Sequence, residues 1–408
     1  MAPERVGERA PGRAVAPERE GPRAWAIVAA LSVTETVSWA VLYYAFGVFL
    51  VPMRRELGWS PAELTGAFSA ALLVSALAGV LAGRWLDRRG PRGLMTVGSL
   101  LAAALVLAWS RVETLLGLYA VWLGIGAVMA AVLYEPAFAT LAKWFDAGRT
   151  RALTTLTLVA ALASFIFSPL SGWLIGTLGW REALVVLAAI LAVTTVPLHA
   201  VVLRAPPPPA SSAPAAADEP VGGPLRSAAF WLLTSAFTLG ALTTSALGVH
   251  LVSFLVDAGH PVAFAATAAG LVGLFQVPGR VLLAGAGRAL PPRLVVPGVF
   301  VVGALGVALL GLSAATGAVL GSVALLGMSN GMATLARATT VGDLYGPASY
   351  GALGGVVAAG NSGARAAGPI AAALLLGWAG GWGAVLVALT LCSLLAALAG
   401  HEAVRRAA

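Results

Sequence analysis

"RAPPPPASSAPAAADEPVGGPLR", from Arg204 to Arg226, divides the chain into two apolar halves. Its Pro, Ala, Ser and Gly content gives little to bury, so it reads as a flexible linker. On both sides the sequence falls into apolar stretches of about 20 residues, each long enough to cross a ~30 Å hydrocarbon layer as a helix. Six precede the linker, at 25–51, 62–86, 94–110, 114–142, 152–176 and 182–203. Six follow it, at 227–256, 264–287, 294–313, 317–341, 350–375 and 379–400. The expected fold class is an all-α membrane protein with twelve transmembrane helices in two six-helix pseudo-repeats. The domains expected are a disordered cytoplasmic tail (1–23), an N-terminal bundle (24–203), a cytoplasmic linker (204–226), a C-terminal bundle (227–400) and a cytoplasmic tail (401–408).

Composition agrees with lipid as the solvent. Of 408 residues, 59% are hydrophobic and 10% charged, where a soluble domain carries about 25% charge; mean hydropathy is +0.90. The 49 glycines suit helices that pack closely without a hydrophobic drive between them. The single cysteine, Cys392, allows no intrachain disulfide. Net charge is +8, but the arginines are spread through many short loops with no basic face, which argues against nucleic acid. The one lysine, Lys143, precedes Trp144, so no Walker A loop exists to power a pump. His199, His250, His260, His401 and Cys392 have no metal-ligand spacing. These observations leave no enzyme chemistry, metal or cofactor to propose. They favour a transporter, expected as a monomer in the cell (plasma or inner) membrane.

Basic residues set the expected orientation. With both termini cytoplasmic, eighteen fall on inner tails and loops, while Arg54, Arg55, Arg111 and Arg181 fall outside. Trp25, Trp59, Trp85, Trp109, Trp144, Trp180 and Trp378 lie near the expected helix ends, where indole prefers the interface. At an offset of about 200 the halves resemble each other: Pro169 with Pro369, Ala152–Leu153 with Ala352–Leu353, and Phe145 with Tyr345.

"GRWLDRRGPR" (Gly83–Arg92) joins spans two and three. It resembles the loop signature of the major facilitator superfamily, which implies that superfamily's fold. On that resemblance Gly83 lets helices approach, Asp87 meets a neighbouring helix end or Arg, and Arg88, Gly90 and Arg92 complete a cytoplasmic gating loop. A closer similarity is to bacterial relatives of the monocarboxylate-porter branch. "EGPRAW" (Glu20–Trp25) is similar to that branch's start of span one, and "KWFDAGRTRAL" (Lys143–Leu153) to its loop after span four. The branch carries an acid and an Arg four residues later on span eight; here those positions read Gln276 and Arg280. The Arg is kept and the acid is not. The branch's span-one Lys aligns with Tyr44.

Charges inside spans are costly and usually functional. Here they are Glu35, Glu135, Arg280, Arg337 and Arg365. At about 1.5 Å per residue, Glu135 and Arg280 lie at similar depths, roughly 12 Å from the basic ends of their spans. Arg337 reads as snorkelling to the inner interface, and His250 as interfacial. The expected substrate site is Arg280, Gln276, Tyr44, Arg365, Asn361 and Tyr134, with Tyr43 secondary. A guanidinium suits a carboxylate, and Glu135 and Glu35 are the proton-coupling candidates. The opposing reading for Glu135 is a permanent pair with an Arg that only holds helices together. The function expected is alternating-access symport of a small, monocarboxylate-like organic anion with protons. The alternative is a proton-coupled exporter of drug-like or cationic metabolites.

Overall fold

The computed structural model describes residues 20–145, 148–204, 225–286 and 292–407, with side chains at 286, 292, 338, 342–343 and 346–352 left aside. The linker and most of the N-terminal tail lie outside the described residues. Helices account for nearly everything described, as a chain without water must satisfy its backbone polar groups internally. In order they are α1 (Pro22–Leu57), α2 (Pro61–Arg89), α3 (Pro91–Trp109), α4 (Leu115–Trp144), α5 (Arg149–Leu178), α6 (Trp180–Val202), α7 (Ala228–Asp257), α8 (Val262–Ala286), α9 (Pro292–Leu312), α10 (Thr316–Ala379) and α11 (Trp382–Ala407). Local chemistry sets several ends. Ser60 and Glu63 form a capping box before α2, with Ser60 N donating to Glu63 Oε2 at 2.8 Å. Gly90, at φ +75°, makes the left-handed turn between α2 and α3 that a side chain would strain.

Among the described residues, eleven helices are long and apolar enough to span a membrane. The expected loop after 341 is absent, because α10 runs on as helix to Ala379. It nevertheless crosses twice. His260, just past α7, bonds Ala314 O just before α10 at 2.7 Å, and Trp382, just past α10, donates to Asp257 at the end of α7. Both ends of α10 therefore sit beside one end of α7. The arms also touch midway: with its amide oriented to satisfy both neighbours, Asn361 accepts from Arg337 Nη1 at 3.1 Å. Along a straight helix those residues would stand about 36 Å apart.

The helices form two groups whose cores meet at one face only. One apolar cluster includes Phe46, Trp109, Trp122 and Leu187 from the first half and Val249, Ala266, Val319 and Ala372 from the second. It lies toward the face that carries Leu57, Asp257 and Trp382, called the far face here. Toward the other, basic face, which carries Asp87 and Lys143, the core splits into a first-half cluster around Ile27, Leu141 and Phe145 and a second-half cluster around Phe230, Phe300 and Val357. Contacts between the halves follow the same division. At the far face Arg54 pairs with Asp257 at 2.9 Å, and a Cβ on Gly47 would stand 2.9 Å from the carbonyl oxygens of Gly248 and Val249. Toward the basic face, α2 leaves Leu77 75% and Leu81 67% exposed. The halves are closed at the far face and parted at the basic one.

Two expectations need correction. A Cβ on Gly83 would meet nothing within 4 Å, so Gly83 makes no close helix contact here. Trp109, Trp144 and Trp180 sit at helix ends but are buried. Their indoles pack inward: Trp109 lies 4.8 Å from Trp122, and Trp180 donates to Glu56 at 2.5 Å.

Candidate functional site

Three helices lose regularity where the halves begin to part. In α1, Ala40–Tyr44 form a π turn, a feature common at functional sites. In α4, Leu133 is extended (φ −94°, ψ −164°). Pro136 has no N–H to give and its ring crowds the carbonyl four residues back, so the first segment ends at Val132. Glu135 thus lies in the first turn of a new helix, where free N–H groups and the helix dipole favour a carboxylate. In α5, regularity lapses at Ala161–Leu162.

These irregularities present an aromatic wall on the first half. Trp39 lies 5.2 Å from Tyr43, 6.3 Å from Tyr44 and 4.9 Å from Tyr134, and Tyr134 stacks on Phe138 at 4.9 Å. All five are half-buried. Phe68 backs Tyr43 at 5.4 Å and is fully buried.

The second half supplies cations. Tyr44 approaches Gln276 and lies within electrostatic reach of Arg280 and Arg365; Tyr134 senses the same two arginines and Glu35. Arg280 Nη1 donates to Thr157 O of α5 at 3.3 Å, and Nη2 to Gln276 Oε1 at 3.4 Å. Both bonds are long and end on neutral acceptors. Its buried Nε has no partner. Arg365 is exposed. Among the described residues, ion pairs form at Arg54–Asp257, Lys143–Asp87, Arg181–Glu56 and Glu402 with Arg405 and Arg406, toward helix ends, and none of these involves Arg280, Arg365, Glu35 or Glu135. Among the described residues no Glu135–Arg pair forms. Glu135 is exposed and interacts electrostatically with Glu35, which is fully buried with neither carboxylate oxygen hydrogen-bonded.

Five of the six residues expected to bind substrate, Arg280, Gln276, Tyr44, Arg365 and Tyr134, come together here. Asn361 is otherwise engaged, donating to Phe237 O at 3.2 Å while holding Arg337. Arg337 is accordingly turned toward α10's second arm, not simply out to the interface. His250 is not interfacial: it is 2% exposed and bonds Pro369 O at 2.9 Å between α7 and α10. Trp39 and Phe138 join the site beyond the residues expected from the sequence, each within one turn of an expected one. In the loop after α2, Asp87 meets the end of α4 through Lys143 at 2.8 Å. The stretches "EGPRAW" and "KWFDAGRTRAL" meet as well. Glu20 accepts from Gly148 N at 3.0 Å, Trp25 meets Phe145 edge-on at 5.4 Å, and the Arg151 guanidinium lies 5.1 Å over Trp25.

The sequence pattern of the Major Facilitator Superfamily matches residues 31–369. The chain belongs to that superfamily. It is a multi-pass membrane transporter and not an enzyme. Among relatives, monocarboxylate transporter 13 of Rattus norvegicus is 27% identical over 67% of this chain, and that of Bos taurus 28% over 67%. The match spans 63% of the length of each. Monocarboxylate transporter 11 of Homo sapiens is 26% identical over 61% of this chain and 54% of its own length. A bacterial homolog of the human lysosomal transporter Spinster, solved in an inward-facing and unoccupied conformation, superposes with a TM-score of 0.77 at 16% identity, covering 94% of this chain and 98% of its own. The nucleoside transporter NupG gives 0.72 at 15% identity, covering 93% and 99%. Superfamily members with different cargoes thus share this fold, and cargo has to be argued from the side chains.

Proposed function

We propose that this transporter moves a small organic anion together with protons by rocking its two halves about the site between them. One observation carries the reading: Arg280 and Arg365 of the second half lie within electrostatic reach of Tyr44 and Tyr134 of the first, and no carboxylate among the described residues pairs with either. Guanidinium offers a carboxylate two parallel hydrogen bonds. Arg280 has only two long bonds to neutral acceptors to surrender in exchange. Similarity to monocarboxylate transporters supports the same cargo class. Glu35 and Glu135 are the proton carriers in this scheme, since each can gain or lose a proton without breaking an ion pair. In this reading the basic face is cytoplasmic, as the distribution of arginine supports, both termini lie on the cytoplasmic side of the cell membrane, and the carrier works as a monomer.

Purified protein in liposomes loaded with a pH-sensitive dye tests this. Small monocarboxylates added outside acidify the lumen in a protein-dependent way, beyond the passive entry measured in protein-free liposomes. Arg280→Ala abolishes that signal while the protein remains monodisperse. Normal uptake by Arg280→Ala would end the anion-site reading. Lumenal pH changes driven by lipophilic cations, with none for any anion, would replace it with cation export.

A further inference from the structure

The wall opposite the arginines is aromatic, and that bears on which anion fits. Trp39, Tyr44, Tyr134 and Phe138 are half-buried, so part of each remains accessible. They meet one another tilted or stacked, Tyr43 meets Trp39 and Tyr44 edge-on, and Phe68 packs against Tyr43. A short aliphatic acid bound at Arg280 would leave these faces uncovered. The tyrosines join the two walls: Tyr44 and Tyr134 belong to the aromatic side yet lie within electrostatic reach of both guanidiniums. A ligand with a carboxylate at one end and a flat ring at the other meets both surfaces at once.

We infer that the preferred cargo is an aromatic monocarboxylate, its carboxylate on Arg280 and Arg365 and its ring against Trp39, Tyr44 and Tyr134. The inference rests on the anion reading above and narrows its substrate class. Ring-on-ring contact adds to the gain from burying apolar area. Gln276, hydrogen-bonded to Arg280, helps to orient the carboxylate end.

Matched acids that differ only by a phenyl group test it. Phenylpyruvate against pyruvate, and phenylacetate against acetate, are compared by isothermal titration calorimetry on the purified full chain and by uptake of labelled acid into liposomes, corrected for protein-free leak. The expected result is that each arylated acid binds and is carried at least about tenfold better than its parent. Trp39→Leu should bring the phenylpyruvate-to-pyruvate ratio down toward one, Trp39→Phe should keep most of it, and Arg280→Ala should weaken both acids alike. If Trp39→Leu does not fold, Tyr134→Leu gives the same readout. Pyruvate carried as well as phenylpyruvate would overturn the aromatic assignment and leave the anion reading standing. A native-sized ratio in folded Trp39→Leu and Tyr134→Leu would overturn the placement of the ring. Neither binding nor uptake of any of the four acids would overturn both readings.

Discussion

Replacing Gly47 with Ala acts on the balance between conformations more than on the fold. Gly47 lies in α1 where it crosses α7, on the closed far face. The added Cβ would stand 2.9 Å from the carbonyl oxygens of Gly248 and Val249 and 3.3 Å from Val249 Cα. All three are backbone atoms, so no side chain can turn aside. Relief requires α7 to retreat by about 0.5 Å, and a gap of that order already forfeits a quarter or more of each local dispersion contact. Overpacking of this kind costs about 1–3 kcal/mol. Because α1 and α7 belong to different halves, the penalty applies only while the far face is closed. It should shift the closed-to-open ratio by about 5- to 150-fold. Spin labels at Arg55→Cys and Ala379→Cys, both exposed at the far face in opposite halves, in a Cys392→Ser background, report the separation by pulsed electron resonance. The expected result is a new long-distance population. Gly79→Ala, where a Cβ meets nothing within 4 Å, is the control and leaves the distribution as it was. An unchanged distribution in folded Gly47→Ala would refute the reasoning, since the helices would then be absorbing the methyl group within the closed state.

Other substitutions separate the remaining roles. Glu35→Gln should remove proton-driven accumulation while anion exchange across equal pH continues; accumulation with native pH dependence would exclude Glu35 as a carrier. Asp87→Asn weakens an exposed pair with Lys143 worth about 0–1 kcal/mol, so thermal stability should barely move while turnover slows at unchanged substrate affinity. Native turnover would show that the pair does not time the cycle. Pro136→Ala should restore the missing hydrogen bond to Val132, extend the first segment of α4 and move Glu135 off a helix start, lowering transport several-fold; full activity would mean that the break is incidental. Glu20→Gln should cost about 1 kcal/mol by weakening a charge-assisted bond to Gly148 N, read as a lower thermal midpoint.

The helices were legible because apolar length is a strong signal and lipid leaves the backbone no alternative. The loop expected after 341 was not found, since helix persists through the stretch and only contacts at its two ends reveal the return. Pro136 is the local cause of the break in α4, but the apolar run around it, interrupted only by Glu135, reads as one span from 114 to 142. Nothing in "AVLYY" marks a π turn: it contains no Gly, Pro or charge, so the turn reflects tertiary packing. Position alone makes a tryptophan at a helix end look interfacial. Burial of Trp109 and Trp180 depends on partners from other helices, Met53 and Glu56, that spacing along the chain does not show. Arg280 and Arg365 were identifiable as intramembrane charges, but that they lie unpaired opposite one aromatic wall required the fold.

Arg280 also suggests how occupancy and movement are linked under the proposed function. Its Nη1 reaches across from α8 to Thr157 O on α5, so the guanidinium that would hold the anion also bridges the halves. Thr157 O already accepts from Ala161 N at 3.0 Å, so releasing the arginine would leave that carbonyl satisfied. A carboxylate offers Arg280 a charge-assisted bond in place of this 3.3 Å contact to a neutral oxygen. Binding would therefore exchange a link between the halves for a link to the cargo. A ligand shifts a conformational balance only by what it binds differently in the two states. This single exchange supplies such a difference at the point where α5 and α8 meet.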